Sequence, residues 1–268
     1  MEKLSLFLLK VSFVLTFSVL ISFNNPLVAQ QSSETKSNKI LFVVTSHGEL
    51  GNTGKSTGYY LSEVTHPWNV LNSTGYEIDF VSPKGGKAPV DDFDLSDSIN
   101  SKFWKNDVYR KKIQNTMKPT EVNPSEYVAI HYAGGHGTMW DFAGNEQIAS
   151  IASQIYENKG VVSAVCHGPA GLVNVKLSNG NYLVKNKKVS AFTNEEEKAV
   201  ELDSVVPFLL ENKLKERGAH FEQSGLWQKQ VSVDQRLVTG QNPQSAAAVG
   251  QATLEKLKEL NVCPEYKK

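Results

Sequence analysis

The sequence has no charge imbalance: 28 basic and 28 acidic side chains cancel across 268 residues. Nothing in it draws nucleic acid or an acidic membrane surface, and neither is expected as a partner. Cysteine is scarce, with only Cys166 and Cys263, and neither belongs to a Cys-x-x-Cys pair, so a zinc site has no support. A disulfide between them is not expected either. Cys166 follows "VVSAV", which reads as a buried strand, whereas Cys263 sits in the polar tail "NVCPEYKK", and a bridge needs Cα atoms closer than about 7 Å. Internal repeats and low-complexity tracts are absent, and the 40% hydrophobic content suits an ordinary globular chain.

Long apolar runs are also missing. The 13 residues "VSFVLTFSVLISF" after Lys10 fall short of the roughly 20 that a membrane span needs. Their setting is that of a secretory signal: Lys3 and Lys10, the apolar run, Asn24-Asn25-Pro26 and the small residue Ala29. The order predicts a signal peptide over 1–29, export to a periplasmic or secreted location, and no stable membrane contact after processing. An uncleaved N-terminal anchor is the alternative. No cysteine lies near Ala29, which excludes a lipoprotein anchor. Residues 30–39 read as a polar linker, and 40–268 as one α/β domain with an inserted helical segment around 91–118.

"GELGNTGKST" (48–57) follows the apolar strand "ILFVV" and looks like a phosphate-binding loop. The spacing rejects that reading. Five residues separate Gly48 from Gly54 where the pattern needs four, and the position of the first glycine holds Glu49, whose charge opposes a phosphate. A second apolar strand ending in a magnesium-binding Asp is missing too. The loop is better read as a strand-to-helix connection that delivers Glu63 and His66.

What remains alternates between strand and helix. Strands are expected at 40–44, 76–82, 127–135, 161–166 and 187–193, with a strand or hairpin at 230–240. Helices are expected from about Ser62 to Leu71 (bent at Pro67), over 145–160, after Cys166, over 204–218 and over 243–260. This is the signature of a mostly parallel sheet with helices on both faces, in which function sits at the carboxyl ends of the strands.

The strongest chemical signal lies at such an end: "SAVCHGPAG", 163–171. A short apolar strand runs into Cys166, His167, Gly168 and Pro169, the layout of a nucleophile elbow. A helix starting there would turn its N-terminus on the sulfur and lower the thiol pKa. "HYAGGHGTMWDF" (131–142) supplies a glycine turn at another strand end. Backbone N–H groups of Gly134, Gly135 and His167 are candidate oxyanion donors. His131 and His136 are possible ligands, though a lone histidine is more often a hydrogen-bonded structural residue.

Taken together, "YYLSEVTHPW", "YAGGHGTMWDF", "AVCHGPAG" and "LVTGQNPQS" resemble the PfpI superfamily, class I glutamine amidotransferase-like. They are most similar to its branch of heat-shock-type chaperones and glutathione-independent glyoxalases (glyoxalase III, D-lactate dehydratase). The resemblance implies a flavodoxin-like α/β sandwich with a nucleophile elbow. It puts the nucleophile on Cys166, the neighbouring histidine on His167 and the carboxylate near the first strand on Glu63. An acid after "FT" orients the histidine in this branch. "FTNEEE" offers Glu195, Glu196 and Glu197, with spacing favouring Glu197 and the other two read as a solvated helix start. The implied reaction converts methylglyoxal-type 2-oxoaldehydes to 2-hydroxy acids through a cysteine hemithioacetal, with no metal and no organic cofactor. Deglycase or chaperone activity, and a homodimer, stay open. Alternatives are a cysteine amidase or peptidase of the same superfamily and a non-catalytic holdase or redox sensor. A glutamine amidotransferase normally takes its histidine from a distant His-x-Glu, and none is seen.

Overall fold

The computed structural model describes residues 37–262. The expected signal segment, most of the expected linker and Cys263 lie outside the described residues. In chain order the elements are β1 (Lys39–Val43), α1 (Leu61–Asn72), β2 (Glu77–Val81), α2 (Ser98–Lys105), α3 (Asp107–Gln114), β3 (Tyr127–Tyr132), α4 (Thr138–Asp141) and α5 (Glu146–Glu157). Then come β4 (Val161–Val165), β5 (Lys188–Val189), α6 (Asn194–Ala199), α7 (Leu210–Glu216), β6 (His220–Phe221), β7 (Val231–Asp234), β8 (Leu237–Gly240) and α8 (Ala246–Glu259).

Six strands form one sheet in the order β2-β1-β3-β4-β8-β7, parallel throughout except where β7 pairs antiparallel with β8. This is the flavodoxin-like arrangement. β5 and β6 make a separate two-stranded piece. The strands are short and apolar on both faces because both faces are covered. Along β1, Ile40 and Phe42 enter the core under α1 and α8, while Leu41 and Val43 enter the core under α5. The helical insert is held to α1 by edge-on aromatic contacts of Trp68 with Phe103 (5.0 Å) and Tyr109 (5.3 Å).

Two local expectations change, and one is reinforced. The helix expected over 204–218 shrinks to Leu210–Glu216, because Pro207 has no N–H to donate and disfavours helical backbone before it. The segment after Cys166 is a five-residue 3₁₀ turn, Gly168–Leu172, rather than an α-helix, since Gly168, Pro169 and Gly171 do not sustain one. The loop at 48–57 closes on itself: Leu50 N–H donates to Lys55 O and Thr57 N–H to Gly48 O, so those amides form no cradle for an anion. Among the described residues no helix is long and apolar enough to cross a membrane.

Candidate active site

The carboxyl ends of β1, β3 and β4 converge on Cys166. Its backbone is pinned from both sides, with its N–H donating to Gly240 O and its carbonyl accepting Phe192 N–H, both at 2.9 Å. Between these anchors the residue adopts φ +59°, the left-handed region that a side chain rarely occupies. That strain turns the side chain out of the sheet plane, as a nucleophile elbow requires.

Glu63, fully buried on the first turn of α1, faces the sulfur. Its Oε2 accepts the Gly134 N–H at 2.7 Å, Oε1 is buried without a conventional partner, and the carboxyl interacts with the Cys166 thiol. The approach demands glycine at 134. A Cβ there would sit 2.4 Å from Glu63 Oε2, 2.7 Å from Val165 O and 2.8 Å from His167 N. Burial pushes the Glu63 carboxyl up to about 8, and the hydrogen bonds from the thiol and Gly134 recover only part of the shift. Burial and then the Glu63 charge push the Cys166 thiol well above its ordinary value. The two acids titrate as a coupled pair and cannot both ionise side by side in a dry site, so the pair keeps at least one proton near neutrality.

His167 stands between the sulfur and a carboxylate. Its Nδ1 lies 3.4 Å from Cys166 Sγ, and its Nε2–H donates to Glu197 Oε2 at 2.8 Å. Burial first, and the neighbouring His136 second, lower the His167 pKa and keep the ring neutral. Glu197 also accepts His136 Nε2–H on its other oxygen at 2.9 Å. Burial pushes Glu197 up, but its interactions with the two histidines outweigh that and hold it at about 2. An ionised carboxylate between two Nε2–H donors fixes the tautomer that leaves His167 Nδ1 free to face the thiol. These three groups also put donor atoms within 4.8 Å of one another, the one cluster of metal-ligand type found among the described residues.

The structure therefore brings Cys166, His167, Glu63 and Glu197 into one buried site, and several expectations need correction. The thiol pKa is raised, not lowered. No α-helix dipole reaches the sulfur; the N–H groups of Gly135 and His167 aim at it instead and offset only part of the burial. Gly134 is not a free oxyanion donor, because its N–H is spent on Glu63. His66 is not delivered to the site and pairs with Asp97 at 3.2 Å. His131 is structural: it bonds Ser163 Oγ at 3.0 Å, donates to Glu63 O at 3.1 Å, and is held neutral by burial with a pKa of about 4. Of the three glutamates only Glu195 is solvated. Glu196 is buried and accepts from Thr193, Trp227, Gln241 and Asn242, tying the 222–229 loop to the site.

Other residues at the site carried no sequence signal. Tyr60, which precedes α1, is half-buried, and burial followed by its hydrogen bond to Asp92 raises the phenol pKa. Phe192 lies 4.3 Å from the His167 ring and 5.7 Å from Trp227, so these aromatics line one side of the approach. Asp141 accepts Thr45 Oγ–H at 2.8 Å and Ser46 N–H at 2.7 Å, fixing α4 over the end of β1.

Known proteins share this arrangement of elements. The glutathione-independent glyoxalase HSP31 of Saccharomyces cerevisiae is 34% identical over 235 residues, covering 82% of this chain and 98% of that protein. The crystal structure of Rapid Encystment Protein 24 kDa of Francisella tularensis is 43% identical with a TM-score of 0.79, covering 82% of this chain and 98% of that one. Glyoxalase III of Candida albicans is 30% identical with a TM-score of 0.75, covering 81% and 96%. The expectation of a signal peptide and a secreted product finds no support in these relatives: the yeast protein is matched over 98% of its length, and nothing in that match corresponds to an export segment. The DJ-1/PfpI family pattern matches residues 56–256, from the loop before Glu63 to the closing helix, and the chain belongs to that family.

Proposed function

We propose that this chain is a glutathione-independent glyoxalase of the glyoxalase III type, converting methylglyoxal and similar 2-oxoaldehydes to 2-hydroxy acids. The observation that carries the reading is the buried Glu63 carboxyl in contact with the Cys166 thiol, with one oxygen held by Gly134 and the other buried without a conventional partner. A thiol hydrolase needs an orienting histidine but no such carboxyl, whereas an isomerising enzyme must move a proton between two carbons. The relatives' names, which print glyoxalase, support the same chemistry.

In this reaction Cys166 gives its proton to the neutral His167 Nδ1, its sulfur bonds to the aldehyde carbon of the substrate as the C=O π bond opens, and His167 passes the proton to the former aldehyde oxygen to form a hemithioacetal. Glu63, in its ionised form, takes the proton from that carbon while the neighbouring carbonyl oxygen gains one, giving an enediol; it then returns its proton to the adjacent carbon as the first hydroxyl loses its own, leaving a thioester with no net change in protons. Water cleaves the thioester, releasing the 2-hydroxy acid and restoring the thiol. Methylglyoxal and one water thus balance one lactic acid, with no net redox change. A single carboxyl fixed on one side of the enediol delivers its proton to one face, so the product is one enantiomer, D-lactate in this reading.

The test is a substrate panel without glutathione: methylglyoxal, glyoxal and phenylglyoxal beside amide and peptide substrates. Turnover of the oxoaldehydes alone is expected. Amide hydrolysis with no oxoaldehyde consumption overturns the proposal in favour of an amidase.

A further inference from the structure

Orienting one histidine takes one carboxylate contact, and His167 has it. The second imidazole on Glu197, from His136, is surplus to that task. His136 Nε2 and His167 Nε2 both turn onto the same carboxylate, at 2.9 and 2.8 Å from its two oxygens. Each group comes from a separate element: His136 from the turn between β3 and α4, His167 from the end of β4, Glu197 from α6. The rings lie 4.1 Å apart and pack against Phe192. Thr138 Oγ–H bonds with Gly135 O at 2.9 Å and His167 O at 3.1 Å, tying the first two segments together. The cluster is reached from one side, since His136 keeps 16% of its side chain exposed against 1% for His167 and 3% for Glu197.

Two imidazoles and a carboxylate are a donor set for a tetrahedral divalent cation of the zinc class, with a fourth position left for water or substrate. Donor atoms on one such cation stand about 3.3 Å apart, given metal–ligand distances of about 2.0–2.2 Å. The two nitrogen–oxygen separations, 2.9 and 2.8 Å, need only a sub-ångström opening to reach that, and all three donors already lie within 4.8 Å of one another.

We propose that His136, His167 and Glu197 bind a divalent cation of the zinc class, and that its occupancy switches off the Cys166–His167 pair. Without the cation each Nε2 carries a proton and donates it to Glu197, so His167 Nδ1 accepts from the thiol at 3.4 Å. The cation takes the Nε2 lone pairs. Each ring's proton moves to Nδ1 through solvent, and the total number of protons is unchanged. His167 then presents N–H, not a lone pair, to the sulfur and cannot accept the thiol proton. The binding step stands on the geometry alone; the switching step rests on the proposed function.

Cobalt(II) is the probe. It is titrated into metal-depleted wild type and into Cys166→Ser, His136→Asn and Glu197→Gln, with the visible spectrum as readout. Wild type and Cys166→Ser are expected to take one equivalent and give the intense bands of tetrahedral cobalt without a thiolate charge-transfer band. His136→Asn, at a partly exposed position that leaves the core intact, is expected to lose at least tenfold in affinity, as is Glu197→Gln. Zinc is expected to inhibit wild-type methylglyoxal turnover reversibly, and less so His136→Asn relative to that variant's own metal-free rate. The site is overturned by the absence of a tetrahedral spectrum, by a thiolate band that vanishes in Cys166→Ser, or by unchanged binding in His136→Asn. Zinc binding that leaves wild-type turnover unaltered overturns the switch. If the chain turns over no oxoaldehyde, the cobalt spectra still decide whether the site exists.

Discussion

Replacing Glu63 by Gln changes chemistry and stability in opposite directions, and both changes follow from one buried proton. The amide keeps the size of the side chain, and its oxygen still accepts the Gly134 N–H that Glu63 accepts at 2.7 Å. It removes the carboxyl placed beside the sulfur to move a carbon-bound proton, so lactate formation should fall by about 10²-fold or more, the usual contribution of one general base. Addition of the aldehyde to sulfur does not need that base, and mass spectrometry should find a stalled adduct on Cys166. For stability, the folded-state pKa of about 8 lies above the ordinary 4.5. A raised carboxyl pKa contributes its full stability below the unfolded value and loses it as pH rises through the folded one. Wild type should therefore lose stability between about pH 4.5 and 8, and Glu63→Gln should not. At about 1.4 kcal/mol per pH unit the gap grows to a few kcal/mol by pH 8, an upper bound because Glu63 titrates as one of a coupled pair with Cys166. Thermal melts of both proteins from pH 5 to 8.5 measure it. Parallel curves, or normal lactate formation by the variant, would refute the reasoning.

Three further outcomes follow. Glu197→Gln weakens the orientation and tautomer preference of His167 and should lower turnover by about 10²–10⁴-fold, with some loss of stability because its NH2 faces one of the two Nε2–H donors, checked by steady-state kinetics beside thermal melts. Alkylation of Cys166 by iodoacetamide should have its midpoint above that of a free thiol, about pH 8.5, and Glu63→Gln should move the midpoint down by removing the negative neighbour; a wild-type midpoint below the free value contradicts the buried-pair description. Gly134→Ala forces a methyl to within 2.4 Å of Glu63 Oε2 and should cost about 1–3 kcal/mol in denaturant unfolding while abolishing turnover.

The alternation of short apolar strands with amphipathic segments made the sheet and its active edge legible, because a strand covered on both faces must be apolar throughout. Cys166 was legible for a local reason: a strand running into Cys-His-Gly-Pro has one common use. Glu197 was not separable from Glu195 and Glu196, since consecutive helical residues point about 100° apart and only the packing of α6 decides which way each faces. Glu195 meets solvent, Glu196 meets Gln241 and Asn242, and Glu197 meets the two histidines. The sign of the thiol shift was out of reach for the same kind of reason. A local pattern suggested a helix N-terminus, but the shift is set by burial and by Glu63, about a hundred positions earlier in the chain. Gly134 was read as an anion donor because a Gly-Gly turn is a common one; its partner became visible only when α1 was docked. The expectation of export rested on a basic start and an apolar run of 13 residues, a pattern of composition that no relative reported above supports.

The central claim is that Cys166 and Glu63 together turn an oxoaldehyde into a hydroxy acid without glutathione. Its most direct measurement is the stoichiometry and handedness of lactate formed from methylglyoxal by the purified chain in thiol-free buffer, with Cys166→Ala alongside. The account predicts one D-lactate per methylglyoxal consumed by wild type and none from the variant. Methylglyoxal loss without lactate, or lactate formed equally well by Cys166→Ala, would contradict it.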